Sequence, residues 1–449
     1  MTASSGSKPT TAALSVAGEA PRSGLVQTHV ISWNLTRRCN LQCEHCYIEG
    51  APLKKSLLKG ELSTEACFAV VDQICEINPN ALVIMTGGEP LLRPDVFEIA
   101  DYASRKGLWC VMGTNGVLIS ERLVVRMKEA GIKGVGLSLD ALDEEVHDRF
   151  RRVRGAWRNT VEGSRILAEH DMPFIVQTTV GTHNRSEVAD IAAFAHRLGA
   201  RVFNLYFLVP TGRGTWVTDI GQDEYEAVLQ ELMDIQKSFD GKMLINAKCA
   251  PHYQRLLYEK DPESPFLKAF SAGAGGCPAG THYCGIRPDG NVTPCPYLPS
   301  YAGNLRETTF KQIWEESDLF RTIRARNQMA DRCGACEFSR VCGGCRARAF
   351  AESGNVMGQD PLCEYQPGRH GTEPIQFRSG SAYGEDAVRE VRWHPAARAR
   401  LDRIPSFVRG MVVKRVEAYA ADRGLDEIDE ALMDEIRARM PVRFGKGPR

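Results

Sequence analysis

The sequence predicts an α/β chain: an incomplete (β/α)6 TIM-like barrel, then a small cysteine-rich domain, then a C-terminal helical module. Three observations carry this expectation. Strand-like apolar runs alternate with helix-like amphipathic runs from about residue 26 to 245. Residues 246–370 are rich in Gly, Pro and Cys and lack long periodic runs. Residues 389–449 return to helical periodicity after a polar linker at 371–388.

Residues 1–25 have no apolar signal core and read as a disordered lead-in. The strand candidates follow in order: HVISWNL, ALVIMT, LWCVMGT, GVGLSL, FIVQTTV and VFNLYFLV. Between and after them come helical patterns: STEACFAVVDQICEI, with Ser63 as N-cap, then PDVFEIADYASRKG, SERLVVRMKEAG, NTVEGSRILAEH, SEVADIAAFAHRLG and DEYEAVLQELMDIQKSF. Successive βα units imply a parallel sheet with right-handed crossovers, and six units rather than eight leave it open. The unusual residues all fall where these strands end. CNLQCEHC follows the first strand, GGEP the second, GTNG the third, Ser138 and Asp140 end the fourth, QTTV closes the fifth, and VPTGRG follows the sixth. That is the face on which barrel sites are built. In the last segment Gly424 reads as a helix stop within a compact three-helix module.

Composition bounds the function. The 449 residues are 43% hydrophobic, enough for more than one core. Lys+Arg and Asp+Glu are equal at 56, so no net charge points to nucleic acid. No run approaches the ~18 apolar residues of a membrane span, and a cytoplasmic protein is expected. Fifteen cysteines without a signal peptide point to metal rather than disulfides. They group as Cys39/Cys43/Cys46, Cys277/Cys284/Cys295, Cys333/Cys336/Cys342/Cys345 and Cys363. Cys67, Cys75 and Cys110 lie in periodic apolar segments and read as core; the role of Cys249 stays open.

A zinc ion on Cys39, Cys43 and Cys46 would need His45 as fourth ligand. His45 adjoins Cys46, a poor geometry for one tetrahedral ion, and reads instead as a solvent-facing or outer imidazole. Three thiolates and an open position suit an iron–sulfur cluster whose fourth iron is free for a cofactor.

Cys-x3-Cys-x2-Cys after the first strand, with GGEP after the second, resembles the radical S-adenosylmethionine (SAM) superfamily over about residues 26–245. The resemblance implies a 4Fe–4S cluster on Cys39, Cys43 and Cys46 that chelates SAM and yields a 5′-deoxyadenosyl radical, with a reduced ferredoxin or flavodoxin as donor. Gly87 and Gly88 would let the backbone approach the cofactor. Glu89 would accept from the methionyl amino group, and Pro90 would stiffen the turn. Asn115 and Ser138 would bond ribose or carboxylate, Arg149 would pair with the methionyl carboxylate, and Tyr47 would lie near the adenine.

The later cysteines resemble the auxiliary-cluster extension called SPASM. Its interleaved ligation implies Cys277, Cys284, Cys295 and Cys345 on one cluster, and Cys333, Cys336, Cys342 and Cys363 on another. The sequence departs from that pattern in having CGGC at 342–345, two residues between cysteines rather than three, which puts the partition and the occupancy of one or both clusters in doubt. Two zinc ions are the alternative.

FLVPTGRG, CAPHY and CGACEFSRVCGGCRARAFAESG resemble the haem-biosynthesis branch, that of the AdoMet-dependent haem synthase, the pre-haem d1 synthase and the didecarboxysirohaem deacetylase. WHPAARARLDRIPSFVRGMVVKRVEAYAADRG is similar to the tail of the protochlorophyllide reductase B subunit. Together these imply a tetrapyrrole substrate and oxidative decarboxylation of propionates. Arg213, Arg346 and Arg348 are candidates to hold carboxylates. His252 is a candidate porphyrin-iron ligand, with a structural histidine as the alternative. Residues 389–449 are expected to serve substrate access or partner docking. Pre-haem d1 synthase or didecarboxysirohaem deacetylase activity, a peptide-modifying maturase, and a non-catalytic iron–sulfur electron carrier are the alternatives.

Overall fold

A computed structural model describes residues 28–53, 58–217, 219–240, 242–262, 276–375, 391–402, 404 and 406–439. The expected lead-in at 1–25 and most of the expected linker lie outside these residues.

Ten of the described strands form one open sheet, in the order β10-β9-β8-β1-β2-β3-β4-β5-β6-β7. The six expected strands are β1 (Val30–Asn34), β2 (Leu82–Thr86), β3 (Trp109–Thr114), β4 (Val135–Ser138), β5 (Phe174–Val180) and β6 (Val202–Phe207). Their neighbours pair in parallel. The helices between them are α1 (Thr64–Ile77), α2 (Val96–Arg105), α3 (Glu121–Glu129), α4 (Glu144–Arg151), α5 (Ala156–Glu169), α6 (Val188–Arg197), α7 (Gln222–Ser238) and α8 (His252–Lys260). Ser63 caps α1 as expected, its side chain accepting from Ala66 N at 3.2 Å.

Two strands go beyond the sequence reading. β7 (Leu244–Lys248) adds a seventh parallel strand against β6, so the boundary expected at 245 falls inside it. β8 (Tyr283–Ile286), from the cysteine-rich region, pairs in parallel with β1. β9 (Asn291–Thr293) and β10 (Gly303–Asn304) continue from it antiparallel. The cysteine-rich region therefore shares the sheet of the barrel. Its backbone groups complete the hydrogen bonding of β1, which would otherwise be an exposed edge.

Side chains alternate along each strand. Outward residues such as Val83, Met85, Cys110, Met112, Val176 and Leu205 pack under the helices, fully or nearly fully buried. Several inward residues stay partly exposed, among them Leu82, Ile84 and Thr86 of β2 and Ile175, Gln177 and Thr179 of β5. The barrel interior is thus incompletely filled. Its upper part is polar, with Ser138, Gln177, Asn204 and Asn246 in register across β4 to β7.

The C-terminal segment has its own core, including Trp393, Leu401, Val416, Ile428 and Ile436. Helices Pro395–Asp402, Ser406–Ala421 and Glu430–Arg439 surround it, with a short parallel ribbon of Arg392–Trp393 and Glu427–Ile428 that the sequence reading lacks. Gly424 is left-handed (φ 64°) just past the second helix, as a helix stop requires.

Candidate active site

The cysteine loop after β1 is locked by its neighbours. Gly88 N donates to Thr36 O at 2.6 Å and Glu89 N to Arg38 O at 2.8 Å. A Cβ on Gly87 would lie 2.5 Å from Thr36 O, and one on Gly88 2.3 Å from Arg38 O. The glycines are thus required by the cysteine loop's own backbone, where approach to a cofactor was expected. Glu89 is fully buried, and its carboxylate is committed to the chain: it accepts from Leu91 N (3.2 Å), Thr114 Oγ1 (2.8 Å) and Asn115 N (2.9 Å). It ties the second loop to the third. Burial pushes its pKa up to about 7, against the pull of these three bonds. Pro90 opens the short turn that Glu89 caps.

Cys39, Cys43 and Cys46 gather in one cluster with Leu41 and Ala156. Their sulfurs receive N–H groups: Leu41 N to Cys39 (3.4 Å), Gly50 N to Cys46 (3.3 Å) and Asn115 Nδ2 to Cys39 (3.8 Å). Asn115 Nδ2 also bonds Asn40 Oδ1 at 2.8 Å. The expected Arg149 is exposed on α4 and lies away from the sulfurs. Two residues on, Arg151 turns inward. Its Nη1 reaches Cys43 Sγ at 3.5 Å and its Nε donates to Asp140 Oδ2 at 2.7 Å. HDRFRR offers several arginines, and only the helix's orientation decides which one enters. His45 is not solvent-facing: it stacks on Phe150 at 4.6 Å, and burial, then Arg151, lower its pKa to about 3. Ser138 ends β4 facing the barrel interior. Tyr47 faces the interior wall, its Oη donating to Asn34 Oδ1 at 2.6 Å and its ring 4.9 Å from Tyr297.

The loop after β6 holds the same cysteines from the other side. Arg213 Nε donates to Cys43 O (2.8 Å) and Nη2 to Gly50 O (2.9 Å). Arg346 and Arg348 are also committed. Arg346 Nη1 bonds Val356 O and Gly358 O. Arg348 bonds Leu208 O and Cys249 O and forms a buried ion pair with Asp360. None of the three is a carboxylate holder in this structure. His252 takes its structural alternative, with Nδ1 2.7 Å from Tyr225 Oη.

Cys333, Cys336, Cys342 and Cys363 line one pocket, the expected set. The other set differs. Cys277, Cys295 and Cys345 pack together with Cys249, and these four act on one another electrostatically. Cys284 stands apart. On β8 it opposes Ile31, so it points outward into the main core, with Thr28 Oγ1 4.0 Å from its sulfur. The CGGC departure has a physical role. Gly343 and Gly344 are both left-handed (φ 62° and 59°), and this bend sends Cys342 to one group and Cys345 to the other. Among the described residues no three His, Cys, Asp or Glu side chains converge on a point that one ion would fill. The donor sets fit the wider cage of an iron–sulfur cluster: clustered thiols, backbone N–H groups on the sulfurs, and an enclosing apolar wall. Burial, then the neighbouring Glu89, Cys43 and Cys46, drive the Cys39 thiol up to about 12 against the Leu41 N–H bond, so its thiolate form calls for cationic iron.

Residues 33–195 match the Radical SAM superfamily, 277–337 an iron–sulfur cluster-binding domain (SPASM), and 393–437 the proto-chlorophyllide reductase 57 kD subunit. The AdoMet-dependent heme synthase of Methanosarcina barkeri is 39% identical over 345 residues, spanning 76% of this chain and 97% of that protein. That of Nitratidesulfovibrio vulgaris is 39% identical over 347 residues, spanning 76% and 93%. SuiB of Streptococcus suis bound to S-adenosylmethionine shares the fold, with a TM-score of 0.60 at 16% identity over 76% of this chain and 78% of that one. Among the described residues no helix is long and apolar enough to cross a membrane. With the cysteine loop, the GGEP turn and the second cysteine field all in place, the chain belongs to the radical SAM superfamily, in the branch of the AdoMet-dependent heme synthases.

Proposed function

We propose that the protein oxidatively decarboxylates propionate side chains of an iron-coproporphyrin, converting them to vinyl groups. The observation that carries this reading is the 39% identity to AdoMet-dependent heme synthase along 97% of that protein. The partly empty polar barrel interior, between two groups of thiols, supports it.

The family's cofactors are 4Fe–4S clusters and SAM; together they supply a 5′-deoxyadenosyl radical after one-electron reduction. Cys39, Cys43 and Cys46 would hold the SAM-binding cluster. Cys249, Cys277, Cys295 and Cys345 would hold one auxiliary cluster, and Cys333, Cys336, Cys342 and Cys363 the other. Arg151 is the cation at the first group's edge, and Asn115, Ser138, Tyr47 and the Gly87–Pro90 turn shape the surrounding wall. Each conversion breaks one β C–H bond and one C–carboxylate bond, forms the vinyl double bond and releases carbon dioxide. The hydrogen atom ends on 5′-deoxyadenosine, and the later cysteines would hold an auxiliary iron–sulfur cluster whose one-electron chemistry would take up the remaining electron. The chain's part is placement, because hydrogen transfer is short-range. A reduced ferredoxin or flavodoxin would supply the initial electron.

Anaerobic turnover with iron-coproporphyrin III, SAM and reductant tests this. The product should show stepwise mass losses, and deuterium at the propionate β carbon should appear in 5′-deoxyadenosine. Absence of label transfer would remove the substrate and leave the superfamily assignment standing.

A further inference from the structure

Arg213, Arg346 and Arg348 are all engaged by the chain itself, so a substrate carboxylate needs another cation. The barrel interior offers one. Lys248 ends β7, and its register partner on β6 is Tyr206. Neighbours in register share a face of a parallel sheet, so both stand in the layer above the inward pair Asn204 and Asn246, whose side chains bond at 3.0 Å. Among the described residues no Asp or Glu forms an ion pair with Lys248. Its side chain keeps intermediate exposure, as do Tyr47, Tyr206, Tyr283 and Tyr297. Tyr47 follows Cys46, and its ring lies 4.9 Å from that of Tyr297 at an inclined angle of 58°. Tyr283 and Tyr297 pack against the group that contains Cys277 and Cys295. The four tyrosines therefore bridge from the first thiol group to the second, and Lys248 stands at the second group's end, next to Cys249.

We propose that Lys248 Nζ anchors a carboxylate of the substrate inside the barrel, with Tyr206 beside it, so that the bound molecule spans the two thiol groups. This rests on the tetrapyrrole reading above. An ammonium is a compact charge with three rotatable donors, suited to a carboxylate amid phenol hydroxyls. In a water-poor space such a charge-assisted bond separates an acid from its ester by about ten- to a hundredfold in affinity.

The test uses anaerobic, fully reconstituted full-length protein. Binding of iron-coproporphyrin III and of its tetramethyl ester is titrated by the Soret absorbance, for wild type, Lys248→Met and Lys248→Arg. The acid-to-ester affinity ratio is internal to each variant, so a general loss of fold or of iron cancels. The expected result is a wild-type ratio well above one that falls about tenfold or more in Lys248→Met and persists in Lys248→Arg. An unchanged ratio in Lys248→Met overturns the anchor alone and leaves the tetrapyrrole reading intact. Wild-type protein that binds neither porphyrin overturns the tetrapyrrole reading, and the anchor with it.

Discussion

At the scale of single residues, the buried pair of Arg151 and Asp140 joins α4 to the end of β4 beside Cys43. Burial works against the Asp140 charge, but Arg151 and neighbouring imidazoles hold its carboxyl down to about 2. Removing one partner strands the other charge, at a cost of about 3–5 kcal/mol. Arg151→Met should therefore lower the melting temperature sharply, and Asp140→Asn added to it should restore part of the loss, read by thermal scans of the two variants. Glu89 gives the opposite sign with pH. Its folded pKa, about 7, lies above the ordinary glutamate value of 4.5, so the folded state binds the proton more tightly. Stability is then full below pH 4.5 and falls as pH rises toward 7, by about 3 kcal/mol from this group. Cluster-free protein should melt lower at pH 7.5 than at pH 5, and Glu89→Gln should flatten that difference; equal slopes would contradict the account. Cys249 and Cys284 separate the two ligand assignments. Cys249→Ala should lose iron and auxiliary-cluster signal on EPR, whereas Cys284→Ser should keep its iron. The reverse outcome would restore the set that the SPASM resemblance implies.

At the scale of elements, β-strand period and turn geometry explain which expectations held. Strand ends were legible because apolar alternation stops where Gly, Asn and Cys begin. The side to which Cys284 points was not, because a spacing of six or ten residues does not reveal the phase of a short strand. The turn at Gly212–Trp216 shows what a loop contributes. Gly212 is left-handed (φ 56°), and a Cβ there would lie 2.6 Å from Cys46 O. Gly212→Val should push the cysteine loop away and reduce iron at the first group. EPR of the reduced variant should lose the SAM-sensitive signal while signals from the later cysteines remain.

At the scale of the whole molecule, the C-terminal helices keep a core of their own, and their Arg409 acts electrostatically on His29, just before β1. There burial, then His282 and Arg409, lower the His29 pKa to about 4. His29 directly precedes β1, at the end of that strand opposite the cysteine loop, so loss of the C-terminal helices should leave the SAM site intact. Protein truncated after residue 390 should retain its iron and still cleave SAM to 5′-deoxyadenosine. A soluble, fully clustered truncation without that cleavage would contradict this placement. The sequence by itself determined the order of strands and helices, the face of the barrel that carries the site, the first cysteine triad and the set Cys333, Cys336, Cys342 and Cys363. The first three follow from local periodicity and from side chains close along the chain; the last set follows from the resemblance to the SPASM extension, since seventeen residues separate Cys345 from Cys363. Only the tertiary structure decided that Arg151 rather than Arg149 meets the sulfurs, that Arg213, Arg346 and Arg348 serve the fold, and that Cys249 rather than Cys284 packs with Cys277, Cys295 and Cys345. It alone brought Lys248 to the barrel interior. Each of these depends on which way a side chain points and on segments far apart in sequence meeting, as Cys249 on the end of β7 meets Cys345; no local pattern encodes such a meeting, because packing of the complete sheet creates it.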